Sequence, residues 1–368
     1  MKALADEKKG QLRLMVAGGG TGGHLFPGLA VAKEVKGRHE EARILFVTGK
    51  RRMESEIIAA SGFDQTSIAV EGMKGRGWKG AWVLLKLPWS FFQSLSIMHD
   101  FKPHLVFGVG GYSSGPVCLT AKVLGIPAAV HEQNSYPGVT NRLLCRVVDR
   151  VFISFEESEA YFSGGNLYLT GNPIREEFLR TPPRDLGDPR FTVLVVGGSQ
   201  GARALNDAMV EALIILKARG RDPRVIHQTG RIDRDRIQGA YREKGLEGDV
   251  SAFIQDMARA YARADLVVSR AGAGAVFELA ALAKPSILIP YPFAANNHQE
   301  TNARVLVEAG GAKMLLQSDL SGDVLADAVM MYMDNPALLA GMGEAARKVA
   351  KPDAARAITN LMMDMIKP

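Results

Sequence analysis

Only two of the 368 residues are cysteine, Cys118 and Cys145, and they stand far apart in apolar or basic surroundings. No disulfide framework and no zinc-ligand spacing can be assembled from them, which fits a reducing cytoplasm. No apolar run reaches the roughly 18 residues that a membrane span requires. The opening stretch "MKALADEKKGQLRL" carries charge where an apolar run would be needed, so no signal peptide is expected. Disordered or fibrous composition is also missing: 47% of the residues are hydrophobic, enough for about two globular cores. An acidic excess is lacking too. A net charge of +6 and a pI near 9.2 suit nucleic acid, an anionic membrane surface or a phosphorylated substrate, without choosing among them.

What is present is strand–helix alternation. "LRLMVA" (12–17), "RILFVTG" (43–49), "HLVFGVGG" (104–111) and "IPAAVHEQN" (126–134) read as strands, and "GLAVAKEVKG" (28–37) as a helix with a glycine stop. Buried apolar strands separated by helices imply a parallel sheet covered on both faces. A Pro-rich charged stretch at 172–190 reads as a linker, after which the pattern restarts with "FTVLVVGGSQGARALNDAM" (191–209). "ADLVVSRAGAGAVFELAALAKPSILIP" (264–290) then reads as strand, small-residue turn, helix and strand. The expected fold is α/β, two doubly wound Rossmann-like domains facing a cleft. The expected boundaries are 1–174 and 175–351. Ligands of such sheets sit at the carboxyl ends of the strands, where the glycine turns fall.

The stretch "AGGGTGGHLFPGLAVA" (17–32) has five glycines in six positions, followed at once by His24. Glycine reaches positive φ and leaves room for a ligand, and the helix behind it offers free N–H groups to phosphate. Gly18, Gly20 and Gly23 also fit a dinucleotide fingerprint, a weak signal alone. Its NAD form needs an acidic residue after the second strand. That strand ends in "VTGKRRMES", whose Lys50, Arg51 and Arg52 disfavour NAD but leave NADP open. Against NADP, His24 and Pro27 crowd the first helical turn and a second glycine turn, "VGGSQGAR" (196–203), heads the other domain. A third, "RAGAGAVFE" (270–278), sets Glu278 about one turn into a helix that starts with small residues. Diphosphate on those N–H groups would leave Glu278 to accept from ribose hydroxyls, the geometry of a bound nucleoside diphosphate.

Several motifs together are more specific. "GGGTGGHLFPGLAVA", "GVGGYSSGP", "IPAAVHEQNSYPGVTNRLL", "GNPIR", "VLVVGGSQGARALN", "HQTG", "FIQDM" and "SRAGAGAVFELAALAKPSILIPYPFAANNHQETNA" occur in this order. Over nearly its whole length the chain resembles the MurG family of peptidoglycan glycosyltransferases, which share the two-domain GT-B architecture. The resemblance implies transfer of N-acetylglucosamine from UDP-GlcNAc to the C4 hydroxyl of the MurNAc unit of lipid I, giving lipid II. It also implies a C-terminal helix, about 352–368, packed back on the first domain. Thr21, Gly22 and Gly23 fall on the loop that in the family approaches donor and acceptor. Asn134 and Arg175 match donor-site positions, Ser199 the residue by the donor phosphates, and Ile254 the backbone that pairs with uracil. Ala273, Gly274, Ala275, Val276, Phe277 and Glu278 match the helix start and its ribose-binding glutamate, and Gln299 a glutamine that recognises the sugar. Two departures stand out: His298-Gln299 replaces a frequent glutamine pair, and Gly274-Ala275 stand where larger residues occur.

Displacing UDP with an alcohol needs a base, a stabilised leaving group and alignment. Histidine titrates near neutrality, which makes His24 the candidate base. The other reading is that His24 caps the helix or hydrogen-bonds the acceptor diphosphate. His131, beside Glu132, is a lesser candidate and reads better as structural. The helix starting near Gly272, with Ser199 and Arg175, would stabilise the leaving diphosphate. The Asp233-Arg234-Asp235 triplet reads as part of a solvated charged helix, so no metal and no cofactor is expected. Gly20, Tyr112 and Glu132 are assigned to the acceptor side, with Tyr112 and Glu132 either holding the acceptor sugar or ordering the loops.

The segment at 72–102 holds Trp78, Trp82 and Trp89, followed by Phe91 and Phe92, with Lys74, Arg76, Lys79, Lys86 and Lys102 among them. Cations interleaved with aromatics suit a surface dipping into lipid headgroups, while a core helix with snorkelling lysines is the plainer alternative. Trp78, Trp82, Trp89 and Phe92 are therefore the expected contacts to an anionic membrane surface. The implied location is peripheral, at the cytoplasmic face of the inner membrane, with no nucleic-acid partner and with wall-synthesis or division proteins as further candidates. Two competing classes remain: an NADP oxidoreductase, and a silent binding protein with a transferase fold.

Overall fold

The computed structural model describes residues 11–20, 22–50, 52–70, 80–164, 166–180, 190–198 and 201–366. The chain divides into two compact units, Met1–Arg175 with Asp353–Pro368, and Glu176–Pro352. The first division therefore falls one residue beyond the expected 174.

Among the described residues the first unit carries seven parallel strands: β1 (Arg13–Ala17), β2 (Arg43–Thr48), β3 (Asp64–Ser67), β4 (Leu105–Gly108), β5 (Ala128–Glu132), β6 (Arg150–Ile153) and β7 (Leu167–Leu169). Its helices are α1 (Gly22–Arg38), α2 (Arg52–Ala60), α3 (Gly80–Phe101), α4 (Ser114–Val123) and α5 (Val139–Leu144). The α1 helix starts six residues earlier than its apolar pattern suggests and runs through Gly37, which is no stop. Strand order is β3-β2-β1-β4-β5-β6-β7, so the chain reverses direction across the sheet between β1 and β4. In β1, Leu14 and Val16 face one apolar cluster and Met15 and Ala17 the other. Period-two alternation with both faces buried is why the strand reads as an unbroken apolar run.

The second unit begins with α6 (Glu176–Leu179), inside the stretch expected to be linker, and residues 181–189 of that stretch lie outside the described residues. Its strands are β8 (Thr192–Val196), β9 (Arg224–Gln228), β10 (Asp249–Ser251), β11 (Leu266–Ser269), β12 (Ser286–Leu288) and β13 (Ala312–Met314). They are ordered β10-β9-β8-β11-β12-β13, with the reversal between β8 and β11. Helices α7 (Arg203–Ala218), α8 (Arg234–Glu243), α9 (Met257–Arg263), α10 (Ala273–Ala281), α11 (His298–Glu308), α12 (Gly322–Asp334) and α13 (Pro336–Lys348) surround them.

The last helix, α14 (Ala354–Met363), returns to the first unit. Its Ile358 and Met362 are wholly buried in the cluster that holds Leu25, Leu29 and Val35 of α1. Burying each is worth roughly 2 kcal/mol, enough to dock a ten-residue helix that would not be stable alone.

Candidate functional site

Both chain reversals are built from glycine. In the first unit Ala17 pairs with Gly108, so the loops leaving β1 and β4 emerge side by side. A Cβ on Gly111, at φ +80°, would lie 2.3 Å from the Gly19 carbonyl oxygen, and one on Gly110, at φ +89°, 3.0 Å from His24 Nδ1. Glycine is thus used here so that two backbones can interlock beneath the first turn of α1. A carboxylate missed in the sequence completes the loop: buried Glu54, from α2, accepts from Gly20 N at 2.6 Å. One loop amide is therefore already engaged by an internal carboxyl group. The first turn of α1, around Gly22 and Gly23, adds the N–H groups that a helix start leaves without an intrahelical partner. Thr21 lies outside the described residues.

His24 stands in that first turn, half-buried, with Nδ1 2.7 Å from Gln133 Oε1. Gln133 is only 2% exposed, and its Nε2 donates to the Val109 carbonyl at 3.0 Å and to His131 Nδ1 at 2.9 Å. His131 Nε2 lies 3.2 Å from the Gly171 carbonyl. Burial lowers the His131 pKa to about 4, against the opposing pull of the Gly171 carbonyl and with a further lowering from nearby His24. His131 is thus a neutral structural group, and Gln133, between Glu132 and Asn134, carries no local sequence signal for this role.

Glu132 is buried, with Oε2 accepting from Gly138 N at 3.0 Å and Asn141 Nδ2 at 2.9 Å, and Oε1 from Asn134 N at 3.0 Å. It ties down the loop from 134 to 141, which favours its loop-ordering reading. Asn134 is half-buried beside it, and Tyr112, next to Gly111, is exposed. Arg175 belongs to the first unit, with its guanidinium 4.9 Å from the centre of the Phe26 ring. That position, beside the first turn of α1, differs from the expected place in the second domain.

In the second unit, α10 begins after Gly272, whose extended backbone supplies no side-chain cap. Ala273, Gly274 and Ala275 leave its first turn open, and Val276 and Phe277 are buried beneath. Glu278, five residues past the helix start, is half-buried and accepts from Tyr261 Oη at 3.2 Å. Ile254 N donates to the buried side chain of Gln228 at 3.0 Å. Gln299 accepts from Tyr291 N at 2.9 Å, leaving its amide N–H groups to donate. Arg270 fixes that loop through the Ile289 and Pro290 carbonyls, both at 3.1 Å, and Gln317 at 2.6 Å. Ser199 lies outside the described residues.

The Asp233–Asp235 triplet needs a correction. Asp233 is buried, bonded to Asn206 Nδ2 at 2.9 Å and Arg236 Nε at 3.1 Å, and Arg236 is the main cause of its lowered pKa. Asp235 is 91% exposed and paired with Arg234. The two carboxylates therefore point to different surroundings, one anchoring the start of α8 and one solvated. Among the described residues no group of three or more His, Cys, Asp or Glu gathers as metal ligands.

In α3, Ser90, Ser94 and Met98 face inward, and Trp89 and Phe92 are 62% and 61% exposed. Trp78 and the Trp82 side chain lie outside the described residues. The neighbouring helices add exposed apolar residues that the sequence reading did not select: Leu119 and Val123 on α4, and Val139 and Leu143 on α5, each pair at i, i+4 spacing. No helix among the described residues is long and apolar enough to cross a membrane.

Two open parallel sheets, each reversing at a glycine turn that heads a helix, are the architecture of the GT-B fold. Residues 14–153 match the glycosyltransferase family 28 N-terminal domain, and residues 192–358 the family 28 C-terminal domain. The chain is 45% identical over 359 residues to the UDP-N-acetylglucosamine–N-acetylmuramyl-(pentapeptide) pyrophosphoryl-undecaprenol N-acetylglucosamine transferase of Syntrophus aciditrophicus (strain SB), covering 97% of this chain and 99% of that one. The transferase of the same name from Anaeromyxobacter dehalogenans (strain 2CP-1 / ATCC BAA-258) is 47% identical, covering 97% and 94%. Among solved structures, Acinetobacter baumannii MurG aligns with a TM-score of 0.77 at 32% identity, covering 96% of this chain and 99% of that one. The chain belongs to glycosyltransferase family 28 and, within it, to the MurG family. It is a glycosyltransferase, and the oxidoreductase reading of the first glycine loop is set aside.

Proposed function

We propose that the protein transfers N-acetylglucosamine from UDP-GlcNAc to the C4 hydroxyl of MurNAc in lipid I, with inversion at the anomeric carbon, producing lipid II and UDP. The observation that carries this reading is the 45% identity, along 97% of the chain, to a transferase whose name states this donor and this lipid-linked acceptor. The open start of α10 supports it, since a helix N-terminus with small residues suits a diphosphate.

In this reading the donor diphosphate lies on the first turn of α10, with Ser199 beside it. Glu278, held by Tyr261, accepts from the ribose hydroxyls. Ile254 offers its carbonyl to the uracil N3–H, its own amide being engaged by Gln228. Gln299 donates to the sugar. The acceptor diphosphate is received by the first turn of α1, at Gly22 and Gly23, with Arg175 as the cation beside it and Gly20, Tyr112 and Asn134 around the loop. His24 Nε2 takes the proton as the acceptor oxygen bonds to the anomeric carbon. The bond from that carbon to the β-phosphate oxygen breaks, and UDP leaves with the electron pair.

The acceptor's lipid makes peripheral membrane binding part of the proposal. Trp89 and Phe92, with the exposed apolar residues of α4 and α5, enter the headgroup region of an anionic cytoplasmic leaflet. Wall-synthesis and division proteins are candidate partners there.

The test is transfer of label from UDP-GlcNAc to a short-chain lipid I analogue, run in EDTA. Transfer supports the activity and a metal-free mechanism. Binding of UDP-GlcNAc without transfer to this acceptor would sink the acceptor assignment.

A further inference from the structure

The protonation pattern around His24 is dictated by two backbone carbonyls remote from it in sequence. A carbonyl oxygen only accepts. Gln133 Nε2 stands 3.0 Å from the Val109 carbonyl and 3.2 Å from that of His131, so the opposite placing of the amide would set oxygen against two oxygens. Gln133 Oε1 is therefore the atom that faces His24. At 2.7 Å it only accepts, so the proton of a neutral His24 ring belongs on Nδ1.

The far end of this series of hydrogen bonds gives the same answer independently. His131 Nε2 faces the Gly171 carbonyl at 3.2 Å, so it carries that ring's proton and Nδ1 is the acceptor. That acceptor is 2.9 Å from Gln133 Nε2, again requiring the amide nitrogen on that side. Ser154 donates its hydroxyl to the Glu132 carbonyl at 2.9 Å and is left able to accept at His131 Nε2, 3.2 Å away. Every donor thus meets an acceptor in one pattern only.

We propose that Gln133 is a positioning residue that locks His24 as the Nδ1–H tautomer and fixes its ring plane, so that Nε2 carries the lone pair presented to the acceptor hydroxyl. The proposal rests on the reading of His24 as the base and adds the group that makes one of its nitrogens basic. An amide, unlike a carboxylate, orients the ring without a charge. Gly110 is part of the same device, since a Cβ there would press on the His24 ring, 3.0 Å from Nδ1 and 3.1 Å from Cε1.

The deciding measurement is ¹⁵N NMR of the full chain labelled at its seven histidine imidazoles, with UDP-GlcNAc bound, using His24→Gln to identify the His24 signals. The expected result is a protonated-type Nδ1 and an unprotonated-type Nε2 in the neutral protein. The reverse pattern, or an average of the two, would overturn the proposal without any variant of Gln133. In Gln133→Leu, provided its thermal melt shows a folded chain, the His24 signals move towards the tautomer average. There kcat falls about tenfold while the KM for UDP-GlcNAc stays within about twofold, the signature of a lost transition-state contribution. A folded Gln133→Leu with unchanged His24 signals and kcat would refute it. His24→Ala, assayed alongside, separates the two layers: wild-type kcat in that variant would end the base reading and with it the catalytic part of this proposal, whatever tautomer the NMR reports.

Discussion

Gly111 and Gly19 touch backbone to backbone where the chain reverses across the first sheet, the one at φ +80° and its absent Cβ only 2.3 Å from the other's carbonyl oxygen. The loops after β1 and β4 are therefore one mechanical unit. Gly111→Ala forces them apart and strains a left-handed backbone, at about 2–3 kcal/mol of stability. Thermal unfolding should register that loss, and kcat should fall while the KM for UDP-GlcNAc holds. A variant with normal melting would mean that the loops can separate freely.

Tyr261 donates to Glu278, so it orients the carboxylate assigned to ribose. Tyr261→Phe keeps the ring packed edge-on against Phe178 and removes only the hydroxyl. One such hydrogen bond is worth about 1 kcal/mol, which predicts a roughly fivefold higher KM for UDP-GlcNAc with kcat little changed. Steady-state kinetics with varied donor decides it, and a drop confined to kcat would contradict the ribose role.

His131 is held neutral inside the first unit with its pKa lowered to about 4 from 6.5, and His227 in the second unit to about 3, burial being the main cause in both. Below pH 6.5 the unfolded chain takes up a proton that the folded chain refuses, so stability falls as the pH drops from 6.5 towards 4. For His131 the loss is on the order of 3 kcal/mol over that window. Chemical denaturation across pH 4–7 should show a shallower slope for His131→Gln than for the wild type. Equal slopes would count against the buried neutral ring.

Trp89 and Phe92 present their rings to solvent on a helix whose inward face carries serines. Replacing both by serine should lower binding to phosphatidylglycerol-containing vesicles about tenfold or more in sedimentation, since each ring contributes roughly 1–2 kcal/mol on leaving water. Transfer to a soluble acceptor analogue should be unaffected. Vesicle binding equal to that of the wild type would remove α3 from the membrane face.

The fold was legible in the sequence because its signals are local. Apolar runs such as "LRLMVA" announce strands covered on both faces, and glycine turns announce the carboxyl ends where ligands gather. His24 and Glu278 could be chosen for the same reason, each standing within one helix of its own glycine turn. Glu54, Gln133 and Tyr261 could not: each acts on a residue between 17 and 109 positions away, and no spacing rule encodes that contact. Asp233 shows the limit from the other side, a residue in a charged run that folding carries into the interior to meet Asn206 and Arg236.

The sequence by itself determined two doubly wound sheets, the glycine turns that head α1 and α10, and the chemical types available at each. Only the tertiary structure decided which amide of the first loop is already taken, which residue fixes His24, and that Arg175 stands by α1. The physical reason is that strand and turn preferences act over a few neighbouring residues, whereas hydrogen-bond satisfaction in a buried site is settled among groups that meet only once the sheet has formed.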